Sequence, residues 1–325
     1  MVSAAASAGT WKLGDDLEVN RIGYGAMRLT GNGMRGNSDG TPIDRDAAVD
    51  LLHSAFEQGV NHIDTAAFYF SPLRSANEII NRALASWHGD VVVVTKVGPT
   101  RDPSGEWLDT VRPDQLRGQV EENLRQLGRD HLDVVNLRVG GPRTSSIAEH
   151  FGALAELRDA GLVRHLGLSA VLPEHMAEAQ TIAPVACVQN SYGLDWRRAD
   201  ESGVVDLCGE QSIAFVPFFA VSGLRREAAA CQEQDARVQS VARAHKATPA
   251  QVRLAWTLHR GPHVLAIPGT RNPAHLAENI AAGALRLTEE ELALLDEPDE
   301  SIAPGPLPEM LGELPQSVEN RTEWG

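Results

Sequence analysis

Hydrophobic positions along the chain follow two alternating rhythms. Short apolar runs bounded by turn formers predict buried strands, and longer stretches with apolar residues three and four apart predict amphipathic helices. Strands are expected at Ile22–Met27, Val60–Asp64, Val91–Lys96, Leu132–Leu137, Val163–Leu168, Val185–Val188, Ile213–Phe218 and Val264–Ile267. The valines of 91–94 run without alternation, which suggests burial on both faces of the strand. Asp44 is placed to cap a helix carrying Ala48, Leu51, Leu52, Ala55 and Phe56 on one face, with Gly59 as its stop. Further helices are expected over Asn77–Ala85, after Pro113, around Ile147–Leu157, from Pro173, around Val204–Cys208 and over Asp235–His245. Thr248-Pro249-Ala250-Gln251 and Thr288-Glu289-Glu290-Glu291 read as capping boxes, and Asn272-Pro273 as another helix start. Ahead of the first strand, Trp11–Arg28 opens with a hairpin turning at Gly14-Asp15-Asp16.

Eight strands alternating with helices mean a parallel sheet, either doubly wound or closed into a barrel. No GxGxxG opens a βαβ unit, and chemically suggestive residues end several different strands. The expected fold is therefore an α/β (β/α)8 TIM barrel with an N-terminal β-hairpin. No shift of composition between Val19 and Leu295 marks a linker, so residues 1–325 are expected to form a single domain with a C-terminal tail from about 301.

Composition narrows the function. Of 325 residues, 42% are hydrophobic and 22% charged, and the net charge is −15. That balance argues against nucleic-acid binding by bulk electrostatics, while leaving room for a locally positive pocket. Cys187, Cys208 and Cys231 show no CxxC spacing and read as reduced thiols, so a cytoplasmic location is expected. No apolar window is long enough for a transmembrane helix, and MVSAAASAGT lacks the features of a signal peptide. The histidines show no metal-ligand spacing; His53, His62 and His88 read as ordinary helix or turn residues.

The candidate chemistry sits around Asn61–Tyr69. The run Val60–Ile63 stops at Asp64, Tyr69 follows on a loop, and the next run stops at Thr95-Lys96. Parallel neighbouring strands would gather an acid, a phenol and an amine on one rim. Asp64 would keep a buried Lys96 charged, and a charged Lys96 would lower the Tyr69 pKa from about 10, readying the phenol for proton transfer. A purely structural Asp64–Lys96 ion pair is the plainer alternative. Trp107, on the long loop 97–111, either lines a pocket or covers the rim.

The segments HIDTAAFY (62–69) and VVVVTK (91–96) resemble the aldo-keto reductase pattern. The resemblance continues through Leu166-Gly167-Leu168-Ser169, Val188-Gln189-Asn190, Ile267-Pro268-Gly269-Thr270 and Glu278-Asn279, so it covers nearly the whole chain. It implies a nicotinamide cofactor bound in extended form, Tyr69 as proton donor, Lys96 as its modulator and Asp64 as the holder of Lys96. Ser169 and Gln189 would hold the carboxamide, and Phe218 would stack on the nicotinamide. Ala26 and Met27 would lie near the cofactor. Gly269, Thr270, Arg271 and His275 would bind the adenosine phosphate end, with Glu278 and Asn279 on the adenine side. A helix start beside Arg271 favours a 2′-phosphate independently, hence NADP(H).

Two positions depart from that pattern. Arg138 stands where the family has histidine, and Ala170 where it usually has asparagine. Arginine is donor-only and permanently charged. It could polarise a carbonyl, lower the Tyr69 pKa further, bind a substrate carboxylate or repel Lys96; it could also be a strand-end charge paired with an acid. The leading expectation is an NADP(H)-dependent reductase of a small aldehyde or ketone. A cofactor-binding regulatory protein with weak or no catalysis is the alternative, and a Schiff-base lyase using Lys96 is disfavoured by Asp64. Loops 29–41, 98–111 and 139–146 would form the pocket; an acidic or polyol-like substrate is suggested only by Arg138.

Overall fold

The computed structural model describes residues 3–31, 43–108, 110–138, 145–221 and 236–297. Asp235, Cys231, most of loops 29–41 and 139–146, and the tail from 301 lie outside the described residues.

An antiparallel hairpin of β1 (Thr10–Leu13) and β2 (Leu17–Asn20) comes first. Then follow β3 (Tyr24–Gly25), β4 (His62–Asp64), β5 (Val92–Val97), β6 (Leu132–Arg138), β7 (Val163–Ser169), β8 (Cys187–Gln189) and β9 (Ala214–Phe215). From β3 to β9 each strand pairs in parallel with the next in chain order. Residues 264–267 form no continuous ladder. They close the ring through single parallel bridges, Val264 to Phe215 and Ala266 to Ile22. The Leu265 N–H donates to the Phe215 carbonyl and the Ala266 N–H to the Arg21 carbonyl, both at 2.8 Å. The eightfold barrel expected from the sequence is thus present, with one strand reduced to bridges. Proline at 268 has no N–H to extend that ladder.

Helices pack around the ring at Arg45–Glu57, Ala76–Ala85, Leu116–Leu127, Ala148–Asp159, Pro173–Gln180, Val204–Glu210, Ala236–His245, Pro249–His259, Pro273–Ala281 and Glu289–Asp296. Their starts follow the capping residues. Asp44 accepts from the N–H groups of Asp46 and Ala47, Asn272 from that of Ala274, and Thr248 and Thr288 sit in reciprocal boxes with Gln251 and Glu291. No helix among the described residues is long and apolar enough to cross a membrane.

Strand alternation sorts side chains into two cores. Ile63, Val93 and Val135 face outward, in a cluster with helix residues such as Leu52, Ile79 and Val120. Val92, Val94, Val134, Cys187, Ala214, Val216 and Leu265 fill the barrel interior, and Leu13, Leu17 and Val19 of the hairpin plug its lower end. Continuing the inward set upward gives Asp64, Lys96, Arg138, Ser169 and Gln189 at the upper rim. Two local expectations need correction. Ile22–Met27 is strand only at Tyr24–Gly25, followed by a 3-10 helix over Ala26–Thr30, and the loop 97–111 contains a small hairpin, Thr100–Arg101 with Trp107–Leu108.

Candidate active site

The strand ends bring the expected acid, amine and phenol together. Lys96 Nζ donates to both Asp64 oxygens, at 2.7 and 2.8 Å, and to the Thr65 carbonyl at 2.9 Å. The same ammonium lies 4.8 Å from the centre of the Tyr69 ring. All three side chains are buried. Burial opposes the charge on Lys96, but Asp64 and then Tyr69 outweigh it and hold the ammonium's pKa above its ordinary value. Asp64 therefore does what the sequence suggested.

Tyr69 does not. Burial pushes its pKa up; the Lys96 charge pulls it down, Asp64 pushes it up, and the net result lies above the ordinary phenol value. A phenolate is penalised in a dry rim more than Lys96 and Arg138 relieve it. The lowered pKa expected from residue types alone is thus corrected: Tyr69 rests firmly as the neutral phenol.

Arg138 ends β6 opposite Ser169 of β7. Its Nη1 donates to Ser169 Oγ at 3.2 Å, and its guanidinium carbon lies 5.3 Å from the centre of the Phe218 ring. Burial lowers its pKa while Tyr69 and Asp64 raise it. No carboxylate forms an ion pair with it among the described residues. Nor does it discharge Lys96. Gly98 pins the neighbouring backbone: its φ is +116°, and a Cβ there would stand 2.6 Å from the Arg138 carbonyl oxygen.

Ser169 and Phe218 both touch Arg138, and Gln189 lies beside Ser169 on the next strand, in contacts the sequence had not foreseen. Ser169 accepts from Arg138. Gln189 Nε2 donates to Asp64 at 2.7 Å, which leaves Gln189 Oε1 buried without a partner among the described residues. Ala170 adopts φ +62°, a left-handed backbone that asparagine tolerates better than alanine.

A second group of residues lines the seam where the barrel closes. Gly25 and Gly269 touch backbone to backbone; a Cβ on Gly269 would come 2.3 Å from the Gly25 oxygen. Ala26 is buried and Met27 packs against the core beside it. The Tyr24 hydroxyl donates to the Thr270 carbonyl at 2.6 Å, while Arg271 lies close enough to act electrostatically on Tyr24. The helix Pro273–Ala281 starts here with His275 exposed, Glu278 half-buried and Asn279 buried. One N–H expected to be free, that of Ala274, is taken by Asn272 Oδ1 at 2.9 Å. Thr270 Oγ1 likewise accepts from the Asn272 N–H.

Arg101 and Phe68 were not singled out from the sequence. Arg101 donates to the carbonyls of Phe68 and Phe70, at 3.1 and 2.9 Å, and its guanidinium carbon lies 4.7 Å from the Phe70 ring centre and 5.5 Å from that of Trp107. It ties the loop carrying Tyr69 to the Trp107 hairpin. Phe68 meets Tyr69 and Trp107 edge-on, at 5.3 and 5.6 Å. No sequence signal marks Arg101; the phenylalanine could be inferred only from its place beside Tyr69.

The chain is thus a closed parallel (β/α)8 barrel with a carboxylate, an ammonium and a phenol gathered at the ends of its strands. Residues 21–300 match the model of the aldo/keto reductase family, and the chain belongs to that family. A pyridoxine 4-dehydrogenase of Escherichia coli (strain K12) is 44% identical over 295 residues, covering 89% of this chain and 98% of its own. An uncharacterized oxidoreductase of Schizosaccharomyces pombe is 34% identical over 297 residues, covering 91% and 92%. Among solved structures, an aldo-keto reductase from Klebsiella pneumoniae in complex with NADPH superposes with a TM-score of 0.71 at 26% identity, covering 91% of this chain and 95% of that one.

Proposed function

We propose that the protein is an NADP(H)-dependent oxidoreductase interconverting an aldehyde or ketone with its alcohol, with Tyr69 as proton donor and Arg138 beside it. The observation that carries this reading is the Lys96 ammonium, held by Asp64 and Thr65 and set 4.8 Å from the Tyr69 ring centre. That arrangement keeps a neutral phenol next to a fixed positive charge, which stabilises the phenolate as it forms during proton transfer.

The residues present fit a nicotinamide cofactor. Gln189 Oε1 is a buried acceptor in need of a donor, and a carboxamide NH2 is one. Ser169 lies two strands from Lys96 and two residues above it in register, on the same inward face. Across the seam, Thr270, Arg271 and His275 at the start of Pro273–Ala281 suit an adenosine 2′-phosphate, with Glu278 and Asn279 toward the adenine. When bound, the reduced cofactor supplies a hydride to the carbonyl carbon. Tyr69 then gives its proton to the carbonyl oxygen and Lys96 stabilises the charge left on the phenol. Phe218, Ala26 and Met27 are assigned to shaping the cofactor's bed.

Similarity to a pyridoxine 4-dehydrogenase makes pyridoxal and pyridoxine the first substrates to try. The buried free thiols Cys187 and Cys208 agree with a reducing, cytoplasmic setting. The test is Tyr69→Phe. Turnover of pyridoxal with NADPH is expected to vanish, while NADPH affinity, read from quenching of protein fluorescence, stays near the wild-type value. Turnover in the variant equal to wild type refutes the assignment. Because Arg138 occupies both Ser169 and Phe218 in this structure, a regulatory NADPH sensor is the second reading. Saturable NADPH binding with no turnover of any carbonyl would favour it.

A further inference from the structure

We propose that Arg138 makes the site selective for aromatic aldehydes carrying an ionised hydroxyl on the ring carbon next to the one bearing the carbonyl. The proposal rests on the reading of this rim as a carbonyl-reducing site.

A guanidinium offers five N–H donors in a rigid plane and is matched best by two coplanar acceptors, at least one of them anionic. Among the described residues Arg138 spends one donor, on Ser169 Oγ, and pairs with no carboxylate. Asp64, the carboxylate that acts on it electrostatically, is already committed to Lys96 and Gln189. A desolvated charge left this way gains most from an anion that arrives with the ligand. A lone carbonyl oxygen is neutral, so it compensates the charge less than an anion does. A 2-hydroxyaldehyde presents its carbonyl oxygen and an adjacent phenolate oxygen in one plane, on one side of the ring, as a fork accepts them. The conjugated aldehyde also acidifies that hydroxyl, which lowers the cost of ionising it beside the guanidinium.

The surroundings favour a flat ring: Phe68 and Trp107 meet edge-on beside Tyr69. Two of the fork's functions separate in this arrangement. The phenolate oxygen sets the orientation, and the carbonyl oxygen is brought between Arg138 and the Tyr69 hydroxyl. Pyridoxal, with its ring hydroxyl beside the aldehyde, has the required pattern; so does any 2-hydroxybenzaldehyde.

The experiment compares 2-hydroxy-5-nitrobenzaldehyde with its 2-methoxy analogue, and benzaldehyde with both, using the NADPH-loaded enzyme and following the alcohol by chromatography. The nitro group keeps the hydroxyl ionised at pH 7.5. Wild type is expected to favour the hydroxy compound over the methoxy compound in kcat/KM by roughly ten- to a hundredfold, the range of a charge-assisted hydrogen bond. Arg138→Gln should collapse that ratio to within about threefold, and Arg138→Lys should retain part of it, since it keeps charge without the fork. Binding gives an independent readout. The phenolate absorption band should shift on the NADP+-loaded wild type and not on Arg138→Gln. Equal use of hydroxy and methoxy compounds by wild type overturns this proposal while leaving carbonyl reduction intact. A preference that survives unchanged in Arg138→Gln overturns it too. Reduction of none of the three compounds, with Tyr69→Phe indistinguishable from wild type, overturns the underlying reading and this proposal with it.

Discussion

His62 gives the sharpest test of the barrel interior. It sits on β4 two residues before Asp64, on the same inward face, and is 1% exposed. The absence of a Cβ at Gly23 makes room for its ring, and neither ring nitrogen has a well-formed hydrogen bond among the described residues. Burial lowers its pKa from 6.5 to about 4, a weak contact with the Asn20 backbone offsetting little of that. The sign of the consequence follows from proton uptake. As pH falls below 6.5 the unfolded chain binds a proton here while the folded chain stays neutral until about pH 4. Stability from the neutral imidazole is complete above pH 6.5 and drains away toward pH 4. A gap of roughly 2.5 pKa units at about 1.4 kcal/mol each is about 3 kcal/mol, a large share of a typical folding free energy. His62→Leu removes the titration and keeps an apolar side chain. Urea unfolding of both proteins, at intervals from pH 4 to 8, gives the difference in stability directly. That difference should shift by up to about 3 kcal/mol in favour of the variant on going from pH 7.5 to 4. Parallel curves across the whole range would refute a neutral, unpaired histidine inside the barrel.

Two further outcomes concern the rim and the seam. On the proposed mechanism alcohol oxidation draws on the Tyr69 phenolate, whose pKa lies above the ordinary tyrosine value, so oxidation should climb with pH through the alkaline range while reduction stays level across neutrality. Lys96→Met removes a charge that pulls that pKa down, so the rising limb should move to higher pH in a kcat–pH profile; a move to lower pH would contradict the electrostatic account. Arg271→Ala should cut the ratio of NADH to NADPH dissociation constants by about tenfold or more, in keeping with loss of one charged phosphate contact, and an unchanged ratio would remove Arg271 from the 2′-phosphate site.

How far the sequence carried depended on whether a signal was periodic or depended on depth. Strand positions followed from apolar runs, and helix starts followed from Asp44, Thr248, Asn272 and Thr288, because caps act within one turn. The meeting of Asp64, Lys96 and Tyr69 was legible from strand ends alone. Burial was not. The Tyr69 pKa went the other way from expectation because desolvation, a property of everything packed around the ring, outweighs the one neighbour that spacing reveals. His62 was read as an ordinary helix or turn residue, although a histidine two positions before Asp64 in a strand must share its face. Arg101 left no trace, since its contacts cross from one loop to another.

The same alternation explains why the rim can hold so many charges. Thr95, one residue before Lys96, faces outward and donates to Asn123 Oδ1 at 2.7 Å on the helix Leu116–Leu127. A slip of β5 by one residue would send Lys96 against that uncharged amide and leave Asp64 without its cation, buried beside Gln189. It would also turn Val92 and Val94 out of the interior that Val134, Val216 and Leu265 complete. The apolar layer below and the ion pair above therefore select one register between them. Pairing of Lys96 with Asp64 is a consequence of the register that also buries the valines, which is why that ion pair could be read from a pattern of hydrophobic residues.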